Sequence, residues 1–198
     1  MEGKIDPRVL KTRRKLKGAF LKLLSVQSLS NFNIKDLTQT AEVTRGTFYL
    51  HYKDKDTFVT AMMEQLVSEL FAATMIEKEG QDTKYFSLNR MLEFVEEHPE
   101  FFDALLKDED AFDYRQLLEY SLMTCIDDYK EAAGIADGKI PKEILLNYLM
   151  YTLLGYVDGW ISQGKIYATH YMANNLKKIL MSEFIEDVGL TEFFVVED

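Results

Sequence analysis

Apolar residues in this chain recur every three or four positions along nearly its whole length, and nowhere do they alternate with period two. No Asn-Gly or Asp-Gly hairpin turn joins β-branched segments. That pattern predicts an all-α fold. Prolines fall where helices can begin, at Pro7, Pro99 and Pro141, because the missing N–H costs nothing in a first turn. Glycines at 80, 134, 138, 164 and 189 sit where helices can end. Between these marks the sequence predicts helices near 7–27, 34–41, 45–51, 55–79, 84–97, 99–107, 110–133, 141–163 and 168–188. A chain of 198 residues, 47% of them apolar, can bury a sizeable core. No apolar run approaches the roughly 18 to 20 residues of a membrane span, and MEGKIDPR has no apolar signal core, so the expected location is the cytoplasm. The single cysteine, Cys125, excludes an internal disulfide and a multi-thiolate zinc site.

A net charge of −10 argues against nucleic acid until the charges are placed along the chain. Residues 1–56 hold 12 Lys+Arg against 6 Asp+Glu, whereas residues 57–198 hold 11 against 27. Screening confines the remote acidic charge to about 8 Å at physiological salt, so the basic quarter can attract phosphates locally. The sequence therefore predicts two parts, a small basic head over 1–54 and an acidic helical body over 55–198.

In the head, the first helix carries Val9, Leu16, Phe20, Leu23 and Leu24 on one stripe and most of its lysines and arginines elsewhere. Asn33 followed three residues later by Asp36 has the form of a helix cap. It opens a short helix with Ile34, Leu37 and Ala41 inward. Glu42-Val43 then makes a tight turn, and Thr44 caps a second short helix. Two such helices a turn apart make a helix-turn-helix. Phe48 is expected to point inward while Arg45, Thr47 and Tyr49 project outward, the format of a recognition helix in a major groove.

The stretch NIKDLTQTAEVTRGTFYLHYKDKDTF resembles the DNA-binding head of the TetR-type transcriptional regulators. The resemblance implies that Lys35, Arg45, Gly46 and Thr47 approach bases, and that Thr44, Tyr49, His51 and Lys55 hold phosphates. It also implies a function: sequence-specific regulation of transcription, as a repressor released from its operator by a small apolar or aromatic effector. Glu42 departs from the family, which often has glycine in that turn. An alternative within the same architecture is a co-activator or interaction module that does not bind DNA itself.

The body is rich in aromatic and methionine side chains, adaptable filling that suits an apolar pocket between helices. Phe71, Met75, Met91, Phe94, Phe112, Tyr120 and Met123 are candidates to line one. Two stripes near the C-terminal end suit helix pairing: Leu149, Leu153, Tyr156 and Trp160, then Leu176, Ile179, Leu180 and Phe184. Gly155 and Gly159 share a face where another backbone can approach, from a partner chain or from this one. LLGYVDGWISQG and the helix after it resemble the closing pair of TetR-type bodies, which implies a homodimer on a pseudo-palindromic duplex. An enzyme is not expected: His51, His98 and His170 lie far apart, and HExxH, CxxC, phosphate-loop and GxSxG motifs are absent. No cofactor or metal is implied.

Overall fold

A computed structural model describes residues 6–80, 82–136, 138 and 140–197. The head is built from α1 (Pro7–Leu24), α2 (Ile34–Thr40) and α3 (Arg45–Tyr49), and α4 (Lys55–Thr74) runs from it into the body. The body continues through α5 (Leu88–Glu97), α6 (Pro99–Lys107), a 3-10 turn at Glu109–Ala111, α7 (Phe112–Ala133), α8 (Lys142–Ser162), α9 (Thr169–Leu180) and α10 (Glu183–Asp187). The all-α expectation holds, and the capping logic holds with it. Asp6 accepts from Arg8 N ahead of Pro7, and Pro99 opens α6. Pro141 is the N-cap of α8 rather than its first residue. No helix among the described residues is long and apolar enough to cross a membrane.

The structure also holds a small sheet that the periodicity does not reveal. Strand β1 (Met75–Glu77) pairs antiparallel with β2 (Lys84–Ser87), and β2 pairs parallel with β3 (Phe194–Val195). The helix expected over 55–79 therefore stops at Thr74, and the one expected from 84 begins at Leu88. Strands of two to four residues are too short to show an alternation. The expected helix over 168–188 divides at Met181-Ser182, where Ser182 caps α10 by accepting from Ile185 N.

The tail that forms β3 is tightly held. Phe193 and Phe194 are fully buried, and both rings pack on Phe86. The Glu197 carboxylate accepts from Ser87 Oγ at 2.5 Å and from Arg90 Nε and Nη2 at 3.0 Å each. Its backbone exchanges two hydrogen bonds with the Asn89 side chain. At Gly189 a left-handed turn of φ 73° leads into this tail, and an added Cβ would meet Ile135 Cγ2 at 2.6 Å, so only glycine fits.

Candidate nucleic-acid interface

The head is organised around aromatic rings. Phe20 of α1 packs edge-on against Phe32 and Phe58, and Phe48 of α3 contacts Tyr52 and Phe58. This cluster ties α3 to α1 and to the first turns of α4. Phe48 is fully buried, as its spacing predicts. Asn33 Oδ1 accepts from Asp36 N at 3.0 Å while Asn33 Nδ2 donates to Asp36 Oδ2 at 2.8 Å, so the cap of α2 is reciprocal. Thr44 Oγ1 accepts from Thr47 N at 3.0 Å and starts α3. Between them Glu42 adopts φ 52°, a conformation that L side chains enter only at a cost. Its carboxylate lies 3.6 Å from Lys15 of α1.

The eight residues expected to meet DNA all reach the surface. Lys35, Thr44, Arg45, Gly46 and Tyr49 are exposed, and Thr47, His51 and Lys55 are half-buried. Arg45 and Tyr49, four apart, share the outward face of α3. The Tyr49 ring sits edge-on to Phe48, their centres 5.4 Å apart. Gly46 has no packing reason to be glycine: a Cβ there would meet only Thr44 Oγ1, at 3.7 Å. The missing side chain leaves the outer surface of α3 low, so that another surface can come close.

The cations divide into two groups. Lys15 and Lys17 are used inside the fold, Lys15 on Glu42 and Lys17 on Glu69 of α4. Lys11, Arg13, Arg14, Lys35 and Arg45 form no ion pair among the described residues, so their charge is available to an outside partner. Lys55 is partly committed: its Nζ donates to the Ser30 carbonyl at 2.6 Å and stands 4.8 Å from the Phe32 ring centre. An ammonium has three donors, so two remain.

The loop that Lys55 holds is a joint between head and body, which sequence spacing does not disclose. Leu29 N donates to Asp108 Oδ2 at 2.6 Å, linking the turn after α1 to the end of α6. Arg115 of α7 donates from one nitrogen to the Leu105 and Asp108 carbonyls, at 2.6 and 3.1 Å, and so fixes that helix end. Asp108 could be read from sequence as a cap for the turn at Glu109. Its partner 79 positions away could not.

In the body, an apolar cavity of about 30 Å³ lies between α4, α5, α6, α7 and α8. Phe71 and Met91 line it as expected, together with Leu70, Phe86, Leu118 and Met150. The other candidates are scattered. Phe112 lines a separate open groove, and Met123 lines a shallow pocket beside Pro141. Met75 begins β1, Phe94 is buried against Phe101 and Phe102, and Tyr120 is 72% exposed. The two helical stripes also resolve differently from a single interface. Leu149, Leu153, Trp160, Leu176 and Leu180 are buried within the protomer itself. The Tyr156 hydroxyl donates to the Met172 carbonyl at 2.9 Å, and Phe184 packs on Tyr148. Gly155, Gly159 and Ile179 remain open, and a Cβ at either glycine meets nothing within 4 Å.

Comparison with known proteins gives concordant matches. Residues 82–182, about half of the chain, match a TetR family described as a transcriptional regulator C-terminal region. A stretch of 96 residues is 29% identical to the uncharacterized HTH-type transcriptional regulator YxbF of Bacillus subtilis, covering 46% of this chain and 25% of that protein. The chain thus spans about a quarter of the length of that relative. The fold is similar to a TetR transcriptional regulator from Streptococcus agalactiae, with a TM-score of 0.59, 22% identity and coverage of 88% of this chain and 96% of that one. It is also similar to a TetR-family regulator from Streptomyces coelicolor, with a TM-score of 0.57, 16% identity and coverage of 91% and 94%.

Proposed function

The chain belongs to the TetR-type transcriptional regulators, and from that premise we propose that its head binds one operator sequence in double-stranded DNA while its body dimerises and takes a small effector. In this reading Lys35, Arg45, Gly46 and Thr47 face base edges, and Thr44, Tyr49, His51 and Lys55 face phosphates. The outward face of α3 carries the proposal. Arg45 has no ion pair there, and Gly46 forgoes a side chain that the fold itself would accommodate. The unpaired cations of α1 and α2 lie in the same part of the chain, where they can displace counterions from a duplex. The Ser30 carbonyl holds Lys55 at the edge of this surface, which lowers the entropy lost when it meets a phosphate.

Gly155 and Gly159 on α8 and Ile179 on α9 are the open positions of the predicted pairing stripes and suit a second copy, since the leucines of those stripes are already spent on the protomer core. A two-fold dimer sets two recognition helices about 34 Å apart on one face of the duplex. The effector is proposed to be apolar or aromatic, because the cavity between α4 and α8 has only apolar walls. At about 30 Å³ it holds little more than one water, so an effector must swell it and shift Leu70 and Phe71 on α4. Helix α4 starts at Lys55, which couples that shift to the head; coupling of this kind is typically about 1 to 3 kcal/mol. Release from the operator makes the protein a repressor.

Selection of genomic fragments by the purified protein, followed by footprinting, tests this. The expected footprint is two-fold symmetric, with half-sites one duplex turn apart. Failure to retain any fragment, or an asymmetric footprint, would overturn it.

A further inference from the structure

Leu50 is the C-cap of α3 and, at 84% exposure, the most exposed large apolar side chain among the described residues. It is not one of the eight residues assigned to the interface. The core makes no use of its side chain: Phe48 and Tyr52 are buried in the aromatic cluster, while Leu50 gives only its amide, to the Gly46 carbonyl at 3.2 Å. Its φ of −71° and ψ of −20° are helical, so Leu50 lies one turn beyond Gly46 on the same face. Helical side chains lean toward the N-terminus, which brings Leu50 over the patch that Gly46 leaves bare. Together the two residues form an apolar step on the outer surface of α3, with exposed Arg45 and Tyr49 beside it.

We infer that Leu50 is a specificity-determining residue of the head and that it packs on the C5-methyl group of one thymine in each half-site. The inference rests on the operator reading and deepens it by one base. Lys35 and Arg45, exposed and free of ion pairs among the described residues, make the surroundings of the step suited to a polyanion rather than to an apolar protein surface. In a major groove thymine alone presents a methyl group; the edges of adenine, guanine and cytosine offer donors and acceptors that a leucine would leave unpaired. Thr47 is the other residue of α3 with a methyl to offer, but it is half-buried and its hydroxyl is bonded to Thr44 Oγ1 at 2.9 Å. Leu50 is therefore the freer apolar group on this face.

The test uses the full chain and a genomic fragment that it retains, synthesised with each thymine in turn replaced by deoxyuridine, which keeps the base pair and removes only the methyl group. Gel-shift titration is expected to find one thymine in each half-site where the replacement weakens wild-type binding about fourfold, the worth of one buried methyl group. Leu50→Ala should bind the unmodified fragment at least about threefold more weakly and be indifferent to deoxyuridine at that position, while responding like the wild type at every other thymine. Its melting temperature and salt slope should stay those of the wild type, because the side chain is exposed and carries no charge. A wild type indifferent to every replacement overturns the inference, and that scan needs no variant to fold. A methyl effect of full size in Leu50→Ala overturns it too, since the methyl would then belong to another side chain such as Thr47. Either result leaves the operator reading standing. Failure to retain any fragment removes the operator reading, and this inference falls with it.

Discussion

Glu42 occupies a backbone conformation that glycine enters freely, and the structure sets the sign of replacing it. Left-handed φ costs an L residue about 1 to 2 kcal/mol, while the exposed Lys15–Glu42 pair returns well under 1 kcal/mol. Glu42→Gly is therefore expected to raise the melting temperature by about 2 to 4 °C per kcal/mol gained, measured by circular dichroism. Gly46→Ala should separate stability from binding. The added methyl meets no obstacle within the fold, so helix propensity stabilises the protein by about 0.5 to 1 kcal/mol, yet DNA affinity falls because α3 can no longer approach as closely. A melt and a gel shift on the same sample check both signs; unchanged DNA affinity would remove Gly46 from the interface. Arg45→Ala should cost about 1 to 3 kcal/mol at one operator position, whereas Lys55→Ala should weaken all sequences alike and reduce the salt slope by about one.

The helix-turn-helix was legible because everything that specifies it is local: Asn33 and Asp36 lie three apart, Thr44 and Thr47 three apart, and Phe48 lies one helical turn from Tyr52. The sheet was not legible, since β2 takes its parallel partner from residues 194–195 and no periodicity carries a contact of that range. The same holds for the apolar stripes of α8 and α9. Their spacing shows that a face is buried, but it does not say whether the burial lies within one chain or between two. The pairing of α1 with α4 is likewise long-range. Burial alone would raise the Glu69 carboxyl, but hydrogen bonds from Lys17 and Gln65 outweigh it and hold the group below the usual carboxylate range. Glu197 behaves alike: burial raises it, and Ser87 and Arg90 bring it down further. A depressed carboxylate stabilises the fold above its unfolded pKa and loses that contribution as pH falls through the folded one. Thermal stability should thus decline below about pH 4.5, and Lys17→Met should lower stability at neutral pH while flattening that acid decline. An acid limb as steep as that of the wild type would show that the α1–α4 pair does not carry it.

For the molecule as a whole, the separation of charge between head and body leaves the two ends with opposite preferences for a polyanion, so a dimer should meet a duplex with its heads first. Gly155→Leu/Gly159→Leu is expected to leave the melting temperature near that of the wild type, as a Cβ at either position meets nothing within 4 Å among the described residues, and to shift sedimentation from dimer to monomer. A dimer that persists in this variant would place the two-fold contact elsewhere. The parallel pairing of β2 with β3 has a further result for the order of biosynthesis. Phe86 is a wall of the apolar cavity, and it is backed by Phe193 and Phe194 from the last strand in the chain. Contacts in the head are local and can form as soon as residue 58 leaves the ribosome, while the body must wait with Phe86 uncovered until the tail emerges. The nascent chain therefore passes through a stage in which a finished basic head precedes an apolar core in which Phe86 still lacks the cover of Phe193 and Phe194.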